Sequence, residues 1–504
     1  MSASTHRLAP PKTLSILLRH ERRMALADRS LLIALAIFAA ATLYALASGA
    51  AWLRGREADV ALAAAQSKQR TADFQTDLRI YEAGQGATLG EKPGWNPGWI
   101  KSPLAPDARP GLASLPLALM ASNAGEVQPA LATMRVATSR YALFDDARAS
   151  TQNPATLAVG RFDLVFLLTA VLPLLLLAFS HNLLSSELEQ GTLALVAVQP
   201  VAMTRVVLAK LLSRAAVLLL PALSVIVVGL LLFAGVPASA AAWRDLGALL
   251  LMIVSYSLFW LLLSAWVNVR GRSSSSNALR LGGWWLALVL VIPSLLNLLV
   301  LGLQPPPDRA ELTNRLRATV VNARNGGENL VSDFNLQHAE QPIRGDANGR
   351  DNFDSPKAIL KSWLVAQASE AAVAPIADAF ERRLSAQQRL AERLRFLSPA
   401  LSFQSALNRL AGADRSRTEQ FIAAVRDYQT AFRGYFVPKI EAGASMTADD
   451  LDRIPAFVMP APRRGSALIA DWLGLALPSV LLALLAARLP PFSCGEITCC
   501  KPKP

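Results

Sequence analysis

The amino-acid sequence predicts an all-α integral membrane protein. Six transmembrane helices, with both termini on the cytoplasmic side, carry a mostly helical extracytoplasmic domain built from two insertions. Three observations lead there. Of 504 residues, 53% are hydrophobic and only 17% charged, where a soluble domain is nearer a quarter charged. The apolar residues gather into runs close to the ~20 residues a helix needs to cross ~30 Å of hydrocarbon, and lipid offers no partner for unpaired backbone, so such runs must be helical. The basic residues are distributed unevenly among the connecting loops, which sets the orientation.

Residues 1–29 carry Arg7, Lys12, Arg19, Arg22, Arg23 and Arg29 against Glu21 and Asp28, which places them in the cytoplasm. Lys12–Asp28 (KTLSILLRHERRMALAD) mixes Leu14, Leu17, Leu18, Met24 and Leu26 with cationic groups. It reads as an interfacial helix on lipid headgroups or as a charged overhang that fixes orientation. The first span, 30–53 (SLLIALAIFAAATLYALASGAAWL), is too long for a signal core and starts too late in the chain, so it reads as an uncleaved anchor.

The first insertion, 54–161, begins with Arg56–Glu82, which has neither Pro nor Gly and extends the first helix outward. The stretch GEKPGWNPGWIKSPLAPDARPG then breaks any regular helix. Its Trp95 and Trp99 are candidates for an outer vestibule, or for anchors that hold the loop on its own domain. Span two, 162–182, opens with Asp163. Residues 183–205 connect it to span three at 206–234. The short loop GVPASAAAWRD leads to span four at 246–267. The loop 268–280 (NVRGRSSSSNALR) carries three arginines and no acid, which places it on the cytoplasmic side with 183–205. Span five covers 281–303.

The second insertion, 304–464, starts at QPPPD, which stops the membrane helix. Ala310–Asn325 reads as a helix, NGGENLVSDFNLQHAEQPIRGDANGRDNFD as a polar loop, and Ser355–Phe396 as a long amphipathic helix with Phe380, Leu384, Leu390, Leu394 and Leu397 near helical spacing. Pro399 interrupts it, and two further helices follow at LSFQSALNRLAG and Asp414–Phe436. The two insertions together are large enough for one helical domain with its own core. Span six, 466–487, contains Asp471. The tail, 488–504, holds Cys494, Cys499 and Cys500, all the cysteines of the chain, in no recognisable zinc spacing.

Catalytic chemistry finds no anchor. The four histidines are scattered, and HExxH, GxSxG, the GxxxxGK[ST] phosphate loop and GxGxxG are all absent. The expectation is a non-catalytic protein that binds no metal or cofactor directly. The net charge of +13 reports loop topology rather than a nucleic-acid surface. Within the spans the polar groups are few, chiefly Asn297, Ser224, Ser255, Ser257 and Tyr256, which argues against a proton- or sodium-coupled transporter. Asp163 and Asp471 lie at the outer boundary, as vestibule candidates or as boundary residues within reach of water.

One segment stands out between spans two and three: SSELEQGTLALVAVQPVAMTRVVLAKLLSRA. Ser185 or Ser186 is placed to cap a short helix, Glu189 to complement its dipole in the first turn, and Gly191 to allow a break. Pro200 ends the apolar strip that follows. The segment reads as an amphipathic element with glutamates available to a partner, or as a surface helix resting on lipid.

Glu187-x-Glu189-x-Gly191-Thr192-Leu193, followed by Gln199-Pro200-Val201 and Lys210, resembles the signature of ABC-2-type permeases, the membrane subunits of a class of ATP-binding-cassette exporters. The resemblance implies that Glu187, Glu189, Gly191, Thr192 and Pro200 couple to a separate ABC ATPase, on which ATP and Mg would bind. It also implies pairing with a second copy or a sister permease in a bacterial inner membrane. Leu188 departs from the family, whose members commonly have arginine there, so any contact made by that cation is missing. SLPLALMASNAGEVQP, LSPALSFQSALNRLAGADRSRTEQF and Tyr428 resemble a narrower branch with large extracytoplasmic inserts after its first and fifth spans, still labelled a domain of unknown function. The competing expectation is a membrane-anchored sensor or assembly factor that reads a ligand through its outer domain. Six spans and the lack of an output domain weigh against it.

Overall fold

The computed structural model describes residues 18–19, 21–23, 27–86, 108–123, 134, 136, 160, 162–192, 195, 203–236, 239–270, 273–305, 308–340, 342, 356–461 and 465–487. Thirteen helices carry the fold among them. They are α1 (Arg29–Glu82), α2 (Leu164–Ala178), α3 (Ser185–Glu189), α4 (Met203–Phe233), α5 (Ala240–Arg270), α6 (Ser274–Leu303), α7 (Arg309–Asn325), α8 (Gly327–Gln337), α9 (Pro356–Leu394), α10 (Pro399–Ala411), α11 (Arg415–Glu441), α12 (Ala448–Asp452) and α13 (Gly465–Ala487). The only extended pairing among the described residues is the isolated bridge between Ala108 and Val136.

Five of these helices, α1, α4, α5, α6 and α13, are long and apolar enough to cross a membrane. The expectation of six spans meets a shorter element at the second position, because α2 ends at Ala178 and the chain turns through 179–184 before α3. The chain is thus a helical protein of the multi-pass membrane type. α1 is continuous for 54 residues, as the Pro- and Gly-free composition of Arg56–Glu82 requires.

The main core runs between these helices and includes Leu46 of α1, Leu168 and Leu176 of α2, Ile226 of α4 and Trp260 of α5. α10 belongs to the same core. Ala400, Phe403, Leu407 and Leu410, at the 3–4 spacing that keeps them on one face, are buried there. Phe403 stacks on Tyr256 of α5 at 4.1 Å between ring centroids. A second core joins the two insertions: Phe74 and Leu78 at the far end of α1 and Val136 meet Phe421, Phe432 and Phe436 of α11.

Both α2 and α6 contain a π-helical turn, Leu167–Val171 and Leu286–Val291, and each is followed two residues later by a proline, Pro173 and Pro293. Proline has no N–H to give to the carbonyl four residues back, and its ring crowds that carbonyl. Widening the turn relieves the clash, and side chains from other helices serve the carbonyls of the widened turns. Tyr256 Oη donates to Thr169 O at 2.8 Å, Trp285 Nε1 to Ala170 O at 3.0 Å, and Ser398 Oγ to Leu288 O at 2.7 Å. Tyr256→Phe is expected to cost about 1–2 kcal/mol by leaving the buried Thr169 carbonyl without this donor; unfolding of the purified protein in mixed micelles measures it.

One expectation fails in the second insertion. The stretch read as a polar loop after Asn325 contains α8. Val331 is buried, and Phe334 of α8 packs on the cluster of Ile359, Leu360, Trp363 and Ile440. Glu328 at the start of α8 pairs with Lys361 and, at 3.7 Å, with Lys357. The polar composition hid a three-residue spacing of Val331 and Phe334 that becomes meaningful only when α9 lies beside it.

Candidate functional site

The Glu187–Thr192 motif sits where α2, α4, α5 and α6 converge. α3 is five residues long, with Leu184 at its N-cap and no side-chain cap. Contrary to expectation, neither serine caps it: Ser185 Oγ is 2.9 Å from Ser274 Oγ, and Ser186 Oγ donates to Asn182 O at 2.9 Å. Gly191, at φ +71°, ends the helix in the left-handed region that glycine adopts without strain. The Thr192 amide then reaches back to Glu187 O at 2.9 Å and the Gly191 amide to Leu188 O at 3.2 Å. These two bonds form a Schellman cap. The Gly-Thr pair of the motif is therefore the stop signal of α3.

Glu189 occupies the last turn of α3, so it cannot complement that helix's own dipole. Its carboxylate instead accepts from the Ser274 amide at 2.7 Å and from Ser274 Oγ at 2.9 Å. Ser274 opens α6, where an anion meets unsatisfied amides and the positive end of the helix dipole. The Ser274 amide, and then its hydroxyl, hold the Glu189 carboxyl below the ordinary carboxylate range. Glu187 turns the other way. Lys210 of α4, 9% exposed, lies 2.8 Å from Glu187 Oε1 and 3.1 Å from Glu21 Oε1. The glutamates expected to be available to a partner are thus engaged within the chain: Glu187 faces α4 and the N-terminal segment, Glu189 faces α6.

Beneath α3 a buried set of polar groups continues the connection. The turn after α2 places Ser180 O against Ser264 Oγ at 2.7 Å and Asn268 Nδ2 at 3.1 Å, both from α5. Asn268 Oδ1 accepts from Asn277 Nδ2 of α6 at 3.2 Å. Asn268 and Asn277 are fully buried. Such bonds are dear to break where no water replaces them. Sequence reasoning missed Ser180, Ser264, Ser274, Asn268 and Asn277. The available signal was the polar sequence NVRGRSSSSN itself, in which a serine run after a loop makes good N-cap material: Ser273 Oγ accepts from the Ser276 amide at 3.3 Å.

The outer candidates separate. Asp163, 2% exposed, caps α2 by accepting from the Phe166 amide at 2.8 Å, and its other oxygen accepts from the Asn123 amide at 3.1 Å. Asp471 of α13 is fully buried, accepting from Arg395 Nε at 2.7 Å and Arg409 Nε at 3.1 Å. Arg409 also reaches Asp414 at 3.2 Å. Trp95, Trp99 and Pro200 lie outside the described residues, as do most of Lys12–Asp28 and the cysteine-bearing tail. The described residues contain no cluster of His, Cys, Asp and Glu that would hold a metal ion.

Residues 358–459 match a family described as a domain of unknown function, DUF3526. No curated protein matches the chain. The DUF3526 segment contains α10, α11 and α12 and most of α9, and it supplies both arginines that hold Asp471. It is therefore tied to the membrane-type helices twice: through the apolar face of α10 and through the ion pairs to α13.

Proposed function

We propose that the chain is the membrane-spanning permease subunit of an ATP-binding-cassette exporter of the ABC-2 type, driven by a separate ATPase subunit in a bacterial inner membrane. The observation that carries this reading is the Glu189–Ser274 contact. It fixes a short surface helix bearing the ExExGT sequence to the first turn of α6, so displacement of α3 is displacement of a membrane helix. Glu187 and Lys210 make the corresponding link to α4. A docking ATPase meets the exposed side of the element, at Gln190, Gly191 and Leu195, while the glutamates transmit the motion inward. A second copy or a sister permease covers part of the apolar face left open along α6, and lipid covers the rest. ATP and Mg bind on the ATPase, and no nucleic acid takes part.

Coupling is only as strong as the difference in contacts between two states, which makes the reading testable. The chain is co-expressed with a candidate P-loop ATPase subunit from the same genome, co-purified, reconstituted in nanodiscs and assayed for ATP turnover. The combined change Glu187→Lys and Glu189→Lys is expected to lower turnover of the complex about tenfold, the equivalent of one charged hydrogen bond. Ser274→Ala keeps association but lowers stimulated turnover modestly, because it removes the hydroxyl half of the internal link and leaves the amide bond to Glu189. Unchanged association and turnover in the double variant would sink the proposal.

A further inference from the structure

At the end of α6 away from the motif, a cavity of about 370 Å³ opens between α6, α9, α10 and the start of α11. That is within the usual range for small-molecule sites, roughly 300–1,000 Å³. Its wall has two characters. Pro293, Leu296 and Val300 of α6, with Leu394 and Leu401, give an apolar side. Arg395, Arg409 and Arg415 give three guanidinium groups, and Glu392 and Asp414 give two carboxylates, with Asp471 behind them on Arg395 and Arg409 and Glu419 on the Nε of Arg415. Two polar atoms are buried at this wall with no partner among the described residues: the donor Arg415 Nη1 and the acceptor Asn408 Oδ1. Burying such atoms unpaired is costly.

The charges nearly cancel, so a simple anion gains little from the site, and a simple cation likewise. A ligand that brings both signs fits better: an acceptor-rich anion for the guanidinium groups, and an N–H-bearing cation for Asn408 Oδ1 and the carboxylates. The apolar side belongs to a membrane-type helix whose neighbouring residues Leu295 and Leu298 are 58% and 64% exposed. We propose that the cavity takes the phosphoethanolamine headgroup of a membrane phospholipid, phosphate toward Arg415 and ammonium toward Asn408 and Glu392, with its acyl chains lying along α6. This site stands apart from the ATPase-coupling element and does not depend on the exporter reading.

The test uses the purified full chain in nanodiscs holding equal phosphatidylethanolamine, phosphatidylcholine and phosphatidylglycerol, followed by mild delipidation and native mass spectrometry. Phosphatidylethanolamine is expected to be retained about tenfold over phosphatidylcholine, whose trimethylammonium has no N–H to donate. Arg415→Gln and Asn408→Leu each lower that retention, and Leu296→Trp fills the cavity and abolishes it. Leu298→Trp, on the exposed side of the same helix, leaves it unchanged. Equal retention of the three lipids by the unaltered protein overturns the proposal and needs no variant to be read. Wild-type retention in both Arg415→Gln and Leu296→Trp overturns it as well. Displacement of the lipid by millimolar soluble phosphoethanolamine overturns the lipid as the source and assigns the site to a free headgroup-like solute.

Discussion

Asp471→Ala is expected to remove about 3–5 kcal/mol of folding stability, the usual cost of leaving buried charge uncompensated. Asp471 is fully buried and serves two guanidinium groups, Arg395 and Arg409, whose side chains are 12% and 7% exposed. Removing it leaves Arg409 with Asp414 alone, and Arg395 with only the Glu392 carbonyl at 2.8 Å and the face of Phe396 at 4.4 Å. Asn at position 471 keeps the shape and one acceptor but not the charge, and is expected to fall between the two. Unfolding in mixed micelles, followed by tryptophan fluorescence, measures the loss. The decisive comparison is Asp471→Leu combined with Arg395→Met and Arg409→Met. Removing all three charges together is expected to recover part of the stability, because the orphaned cations are gone while Asp414 loses Arg409 and keeps the Ser416 amide and hydroxyl. If Asp471→Ala is within 1 kcal/mol of the unaltered protein, roughly the worth of an exposed pair, the ion pairs do not hold the DUF3526 segment to α13.

Gly49→Ala is the second large effect, expected at about 2–3 kcal/mol. A Cβ at Gly49 would lie 1.9 Å from the carbonyl oxygen of Leu119 and 3.0 Å from its carbonyl carbon. The obstacle is backbone, so no rotamer change relieves it. Leu119, Met120 and Ala121 form a buried 3-10 turn, which is the seat of the first insertion on α1. Pushing that turn away opens the core beneath it. Gly55, six residues further along the same helix, has nothing within 4 Å of its added Cβ. Gly55→Ala should therefore be neutral or stabilise by roughly 0.5–1 kcal/mol through helix propensity. The opposite signs of two identical substitutions in one helix separate close packing from propensity; equal effects at both sites would refute the close approach.

The long apolar runs made most membrane-type helices legible, because hydrocarbon leaves the backbone only one solution. Less visible was what the few polar residues do. Glu189 was recognisable as special, but its partner Ser274 lies 85 residues away, and nothing local distinguishes a glutamate that docks on a partner from one that caps a distant helix. The same holds for Asp471: its charge marked it as unusual in an apolar helix, while its partners are 62 and 76 residues upstream. α10 was legible as a new helix after the interruption at Pro399, but its place in the main core was not, since a helix there would equally suit the surface of an outer domain. Pro173 and Pro293 each remove a hydrogen bond from the helix, but a proline alone does not tell whether the outcome is a kink, a break or a widened turn. Tyr256, Trp285 and Ser398 decide that by supplying donors from elsewhere in the fold.

The uninterrupted course of α1 has a mechanical consequence. One end lies near the motif, and the other is set into the core that joins the two insertions through Phe74 and Leu78. A helix rises about 1.5 Å per residue, so a rigid rod of this length would act as a lever arm if it tilted together with the Leu119 turn seated on Gly49. A tilt of about 5° at Arg29 carries Leu78 roughly 6 Å sideways on that rise. Angular changes too small to disturb side-chain packing at the motif therefore become displacements larger than a methyl group at the far domain.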